Sequence, residues 1–135
     1  MKIYFAGSIT GGRNDSDLYG EIILLLKNFG DVLTEHIGNK NLSQMGEAIS
    51  AQEIYKRDID WVKNCDVLVA EVTNPSFGVG MEIARATEFN KRVICIYRVI
   101  DGKKLSAMIS GCPGIEVFKY ENIDGLKNIF GLNLK

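Results

Sequence analysis

Three residues distant in the chain carry oxygens suited to attack and proton transfer: Tyr4, Asp58 and Glu82. Glu82 follows Gly78 and Gly80 in "NPSFGVGMEIARA". It reads as first-turn glutamate of a helix over residues 79–90, where the helix dipole favours its charged form. Ordinary helix stability selects the same residue, with Arg85 at i+3 as a salt-bridge partner. Asp58 shares a helix face with Ile54 and Trp61, spaced i, i+4, i+7. Two apolar neighbours turn that face inward, so its carboxylate is either paired with a nearby backbone group or Tyr4, or used chemically. Asp60 lies about 200° around the same helix and reads as solvated. Tyr4 sits in an apolar strand with Ile3 and Phe5 on the opposite face, and its hydroxyl needs a partner such as Asp58 or Glu82. Two carboxylates and a tyrosine suit glycosyl chemistry: one carboxylate attacks an anomeric carbon and the other acts as acid or base. Spacing alone names no sugar.

Two glycine-rich loops accompany these residues. In "GSITGGR" (7–13), Gly7, Gly11 and Gly12 let backbone approach a ligand, Ser8 and Thr10 offer hydroxyls, and Arg13 offers a positive charge. Backbone N–H groups in such a turn suit a phosphate or carboxylate. The loop is neither a P-loop nor GxGxxG, and a glycine-rich turn without a ligand has the same spacing. In "TNPSFGVG", Gly78 and Gly80 keep side chains off the site and Ser76 offers a hydrogen bond. His36, the sole histidine, reads as a structural hydrogen-bonder or as a residue lining the site.

The elements that must position these groups alternate. Strands are expected at 2–7, 31–36, 66–72, 91–98 and 115–120. The third is apolar enough to be buried on both faces. A helix over 15–29 presents Leu18, Ile22, Leu25 and Phe29 on one face, with Gly30 as a left-handed cap. Ser50 to Glu53 forms a capping box opening a helix to about residue 63. Residues 38–46 read as loop, 104–111 as a short helix or loop, and the tail from Asn122 as a last helix. Strands alternating with helices imply an α/β fold with a doubly wound, mostly parallel sheet. Ligands bind beyond the carboxyl ends of such strands, here the loops after Ala6, Thr34, Val72 and Arg98.

A chain of 135 residues is expected to form one domain, 1–135. Its hydrophobic and charged fractions, 46% and 24%, are those of a soluble globular protein. A net charge of −1 leaves no electrostatic footprint for nucleic acid or an anionic membrane. No apolar run reaches membrane-span length, and "MKIYFAGS" reads as a strand rather than a signal peptide. Cys65, Cys95 and Cys112 form no CxxC pair, which reads as reduced thiols in the cytoplasm with no metal site.

The segments "IYFAGSITGGR", "VLTEHI", "RDIDWVKNCDVLVAEVTNPSFGVGMEI", "FNKRVICIYR" and "LSAMISG" together resemble the 2′-deoxynucleoside 5′-phosphate N-hydrolases of the nucleoside 2-deoxyribosyltransferase superfamily. The likeness runs in order from residue 3 to about 111. It implies a Rossmann-like (flavodoxin-like) domain with a five-stranded parallel sheet, working as a homodimer without a cofactor. The implied substrate is a 2′-deoxynucleoside 5′-monophosphate, cleaved to free base and 2-deoxyribose 5-phosphate. By resemblance, Glu82 is the nucleophile, Asp58 assists leaving-group departure or holds the sugar, and Tyr4 orients the nucleophile. Gly7, Ser8, Ile9, Thr10, Gly11, Gly12 and Arg13 would cradle the 5′-phosphate with Ser76, beside Gly78. Ser106, flanked by Ala107 and Met108, would reach the phosphate from the other subunit, and His36 would lie near the nucleotide. The related transferases tend to carry an acidic residue where Ser76 stands, which would repel a phosphate. The family's phosphate loop often has an arginine where this chain has Thr10, which implies weaker phosphate binding. The competing readings are a deoxyribosyltransferase, a ribonucleotide N-glycosidase acting on a pyrimidine monophosphate, and a non-catalytic nucleotide sensor.

Overall fold

The computed structural model describes residues 1–8, 15–34 and 49–135. The element order is β1 (Lys2–Ala6), α1 (Ser16–Leu26), β2 (Asp31–Val32), α2 (Ala51–Asn64), β3 (Val67–Glu71), α3 (Phe77–Glu88), β4 (Arg92–Arg98), α4 (Ala107–Ser110), β5 (Ile115–Tyr120) and α5 (Ile123–Asn133). The strands form one five-stranded sheet in the order β2-β1-β3-β4-β5, with every pairing parallel. This is the expected doubly wound sheet. Its strand order reverses between β1 and β3, the switch point where such sheets bind ligands.

Side-chain alternation along the strands explains the layers. Ile3, Phe5, Val67, Val69, Ile94 and Ile96 face one side and pack on Ile22 and Leu26 of α1 and on Leu126 and Phe130 of α5. Tyr4, Ala6, Leu68, Ala70, Val93 and Cys95 face the other side, against Val62 of α2 and Val79, Ile83 and Ala86 of α3. Helices on both faces bury all of β3, so its sequence reads as an unbroken apolar run up to Glu71. The same alternation turns the Tyr4 ring toward α2 and α3.

Several boundaries differ from the sequence reading. β2 is two residues long rather than six. Leu33 N–H still donates to Ile3 O at 2.9 Å, but the Thr34 side chain then replaces the main chain. Its Oγ1 accepts from Phe5 N at 2.8 Å and donates to Phe5 O at 2.6 Å. Residues 35 and 36 lie outside the described residues. Helix α1 stops at Leu26, and Gly30 is not left-handed. Gly30 is small because a Cβ there would collide with the carbonyl oxygen of Met1. The face of α2 carrying Ile54, Asp58 and Trp61 is half-buried, while Ile59 and Val62 form its buried seam. Asp60 is exposed. Ser50 caps α2 as expected: its hydroxyl accepts from Glu53 N at 3.1 Å and donates to Glu53 Oε1 at 2.9 Å.

All three cysteines are free. Burial pushes the Cys65 thiol up to about 11 and the Cys95 thiol up to about 12, which makes both poor nucleophiles. Among the described residues, no helix is long and apolar enough to cross a membrane.

Candidate active site

Tyr4, Asp58 and Glu82 come together on the α2/α3 side of the sheet, beside the β1–β3 switch point. Tyr4 is 1% exposed, and its hydroxyl donates a hydrogen bond to the Glu82 carboxylate. Burial raises the Tyr4 phenol well above its ordinary range. The negative charges of Glu82 and Asp58 add to this, and the Arg57 charge opposes it. Tyr4 is therefore a fixed donor, not a proton acceptor.

Glu82 is not in the first turn of its helix. Helix α3 opens at Phe77, capped by Ser76, whose Oγ accepts from Val79 N at 3.3 Å. That places Glu82 in the second turn, where the dipole has largely faded. The expected ionising effect of the helix start is absent. Instead burial raises the Glu82 carboxyl from 4.5 to about 7; the Tyr4 hydrogen bond opposes that rise, Asp58 adds to it, and Arg57 again opposes it. Nor does Arg85 pair with Glu82. Its guanidinium meets Glu88 at 3.4 Å and the Tyr55 hydroxyl at 2.5 Å, and lies over the Phe89 ring at 5.1 Å. The Oε2 atom of Glu82 is buried and has no hydrogen-bond partner among the described residues. A buried, unpartnered carboxylate oxygen costs free energy that an ordinary surface glutamate never incurs.

Helix geometry aims this carboxylate. Side chains on a helix lean toward its N-terminus, so Glu82 lies over the residue four positions earlier, Gly78. A Cβ added at Gly78 would stand 3.9 Å from both Glu82 Oε1 and Ser76 Oγ. The absence of a side chain there keeps the space between these two groups open. A Cβ at Gly80 would meet nothing within 4 Å, so packing against the described residues does not require that glycine.

Asp58 is held by its neighbour. Arg57 donates to Asp58 Oδ1 from Nε at 2.9 Å and Nη2 at 2.8 Å, while its guanidinium stacks on Trp61 at 4.8 Å. Successive helix residues do not normally face each other. The arginine folds back to do so, which helical spacing does not reveal.

Of the two serines near the loops, Ser8 is 4% exposed and its N–H donates to the Tyr19 hydroxyl at 3.2 Å. A Cβ at Gly7 would press on the Tyr19 ring at 3.0 Å, so close packing already requires that glycine. Ser106 caps α4, accepting from Met108 N at 3.2 Å. Ser106, Ala107 and Met108 are exposed and form the start of α4, between β4 and β5. Ile9, Thr10, Gly11, Gly12, Arg13 and His36 lie outside the described residues.

A second polar group at the same sheet edge was not singled out from sequence. Glu71, 1% exposed, accepts from Thr73 N at 2.6 Å and from the Tyr120 hydroxyl. Thr73 Oγ1 accepts from Arg98 N at 2.9 Å. Arg98 Nη2 holds both oxygens of Asp15, at 3.1 and 3.2 Å, and Asn74 Nδ2 donates to Asp15 Oδ2 at 2.8 Å. The legible signal was Glu71 itself, a charge ending an apolar strand buried on both faces.

The family model for nucleoside 2-deoxyribosyltransferase matches residues 3–119, most of the chain. The chain belongs to the nucleoside 2-deoxyribosyltransferase family. Within this family it is 47% identical over 120 residues to a 5-hydroxymethyl-dUMP N-hydrolase of Tetraodon nigroviridis, covering 87% of this chain and 84% of that one. It is also 47% identical over 137 residues to a Nematostella vectensis protein provisionally named 2′-deoxynucleoside 5′-phosphate N-hydrolase 1, covering 96% and 93%. Among solved structures it matches a CMP N-glycosidase of Clostridium botulinum with a TM-score of 0.73 and 18% identity, covering 99% and 100% of the two chains. That likeness is one of fold.

Proposed function

We propose that this protein hydrolyses the N-glycosidic bond of 2′-deoxynucleoside 5′-monophosphates, releasing free base and 2-deoxyribose 5-phosphate. Glu82 carries this reading. Its carboxylate is hydrogen-bonded by Tyr4 and has one buried oxygen, Oε2, with no partner among the described residues, and no side chain stands at Gly78 between it and Ser76. The 47% identity to named N-hydrolases supports the same reaction.

In the first step an oxygen of ionised Glu82 attacks C1′ through an oxocarbenium-like transition state. The C1′–N bond breaks with its electron pair going to the base, which takes a proton from solvent or a nearby acid. A 2-deoxy sugar tolerates the developing cation because no 2′-hydroxyl withdraws electrons. Water then attacks C1′, loses a proton, and frees Glu82 as carboxylate. Tyr4 keeps the attacking group oriented and withdraws charge from it as it leaves. Asp58, gripped by Arg57, is suited to accept hydrogen bonds, which favours a sugar-holding role. Among the described residues Ser76 Oγ accepts a capping bond from Val79 N, which leaves its hydroxyl suited to donate to a phosphate, as is Ser8 with the adjoining glycine loop 9–13. His36 is assigned to the nucleotide environment.

We further propose that residues 1–135 act as one domain, in the cytoplasm and as a homodimer in which Ser106, with Ala107 and Met108, reaches the neighbouring site. Exposed apolar groups support the dimer: Phe77 is 101% exposed, Met81 55% and Met108 82%. No cofactor enters this reaction.

The test is a panel of ribo- and deoxynucleosides, with and without 5′-phosphate, assayed for free base. Base release confined to deoxynucleoside monophosphates is expected, and Glu82→Gln should abolish turnover while retaining nucleotide binding. Activity surviving in that variant would refute the nucleophile. New nucleotide formation with an added acceptor base would make the protein a transferase.

A further inference from the structure

Asn74 sits two residues before Ser76 and is bonded to three separate parts of the chain. Its Nδ2 donates to Asp15 Oδ2 at 2.8 Å, and its side chain also hydrogen-bonds Tyr19. Its Oδ1 accepts from Lys103 Nζ at 2.5 Å. The Tyr19 hydroxyl in turn accepts from Ser8 N at 3.2 Å. One amide thus ties Ser8, at the carboxyl end of β1, and Asp15, at the start of α1, to the loop that carries Ser76.

Asp15 gives up an ordinary role to take part. It is the N-cap residue of α1 yet makes no side-chain capping bond, although aspartate is among the best cap residues. Its carboxylate turns to Asn74 and to Arg98 Nη2 instead. Both partners are largely covered, with side-chain exposures of 25% for Arg98 and 13% for Asp15, so this pair is less screened than a surface ion pair. The Arg98 backbone is held by Thr73 Oγ1 at 2.9 Å, and Thr73 by Glu71 at 2.6 Å. The ends of β1, β3 and β4 are therefore fixed relative to one another through side chains.

We infer that Asn74 is a positioning residue for substrate phosphate: through Asp15 and Tyr19 it sets the spacing between Ser8 and Ser76. The inference rests on the proposed phosphate roles of those two serines. Glu82 is held by Tyr4, on the opposite face of the sheet from Tyr19, so loss of Asn74 spares the nucleophile. The expected signature is a binding defect without a chemical one.

The experiment compares wild type with Asn74→Ala and Asp15→Asn. For Asn74→Ala, KM for a deoxynucleoside monophosphate should rise about tenfold or more, with kcat within about threefold. The dissociation constant for inorganic phosphate, measured directly by titration calorimetry, should weaken by a similar factor. Asp15→Asn keeps the side chain's shape and should show the same pattern, smaller in size, which covers the case in which Asn74→Ala folds poorly. A loss shared equally by kcat and KM, or unchanged phosphate binding in both variants, overturns the inference. If wild type releases no base from any monophosphate, the proposed function fails instead, and the phosphate titration still judges Asn74.

Discussion

As the proposed nucleophile, Glu82 must be ionised to attack, yet its surroundings hold its carboxyl up at about 7. The acidic limb of kcat/KM should therefore fall near pH 7, with activity rising as pH rises through it. Tyr4 opposes the upward shift by donating to the carboxylate. Tyr4→Phe removes that donor, so the limb should move upward by about one pH unit; a pH–rate profile that stays in place would show that Tyr4 does not touch the nucleophile's ionisation. The same shift affects folding. Between the unfolded value of 4.5 and about 7, the native state binds more protons at Glu82 than the unfolded state does, so stability falls as pH rises across that window. Glu82→Gln escapes this penalty while its amide oxygen can still accept from Tyr4. The inactive variant should be more stable than wild type at pH 8, by roughly 3 kcal/mol. It should lose that advantage below about pH 4.5. Denaturant unfolding at the two pH values checks both statements.

Helix α3 does the work of delivery, and its start was the least legible part of the site. From sequence the helix starts at residue 79, since the glycines nearby oppose an earlier start. Ser76 capping overrides that preference, so the helix opens at Phe77 and Glu82 moves from first to second turn. The inward-facing Glu82 was legible as a candidate; the source of its perturbation was not, because it depends on packing by residues from β1 and α2. β3 and β4 were legible to within a residue of each end, since strands buried on both faces carry near-continuous apolar runs. β2 was not, because no sequence pattern reveals that Thr34 would substitute its side chain for the ladder. Gly78→Ala separates the structural and chemical demands on α3. An alanine there makes only ordinary contacts, at 3.9 Å, and should stabilise the helix by up to about 1 kcal/mol. It would also fill the space between Ser76 and Glu82. Activity should drop at least about tenfold while the melting temperature holds or rises, which thermal unfolding and turnover measured together would reveal.

At the scale of the molecule, the sheet order puts Tyr4 and Glu82 at one switch point, while Ser106 sits beyond β4 on an exposed turn. In the described residues Ser106 only caps α4. Its proposed role therefore depends on a second subunit, and mixing inactive variants tests that dependence directly. Glu82→Gln removes the proposed nucleophile; Ser106→Asp sets a negative charge against the proposed phosphate position. In a two-fold dimer whose sites borrow Ser106 from the partner, one site of each mixed dimer combines an intact Glu82 with an intact Ser106. Its other site combines both defects. Random exchange makes half the dimers mixed, each with one good site, so the mixture should recover about a quarter of wild-type activity at limiting substrate. A protein whose Ser106 served its own subunit would show no gain on mixing, because every site would keep one defect. Phe77→Glu, placed on the exposed apolar surface of α3, should abolish the recovery if that surface joins the subunits, and sedimentation of the variant would show monomers.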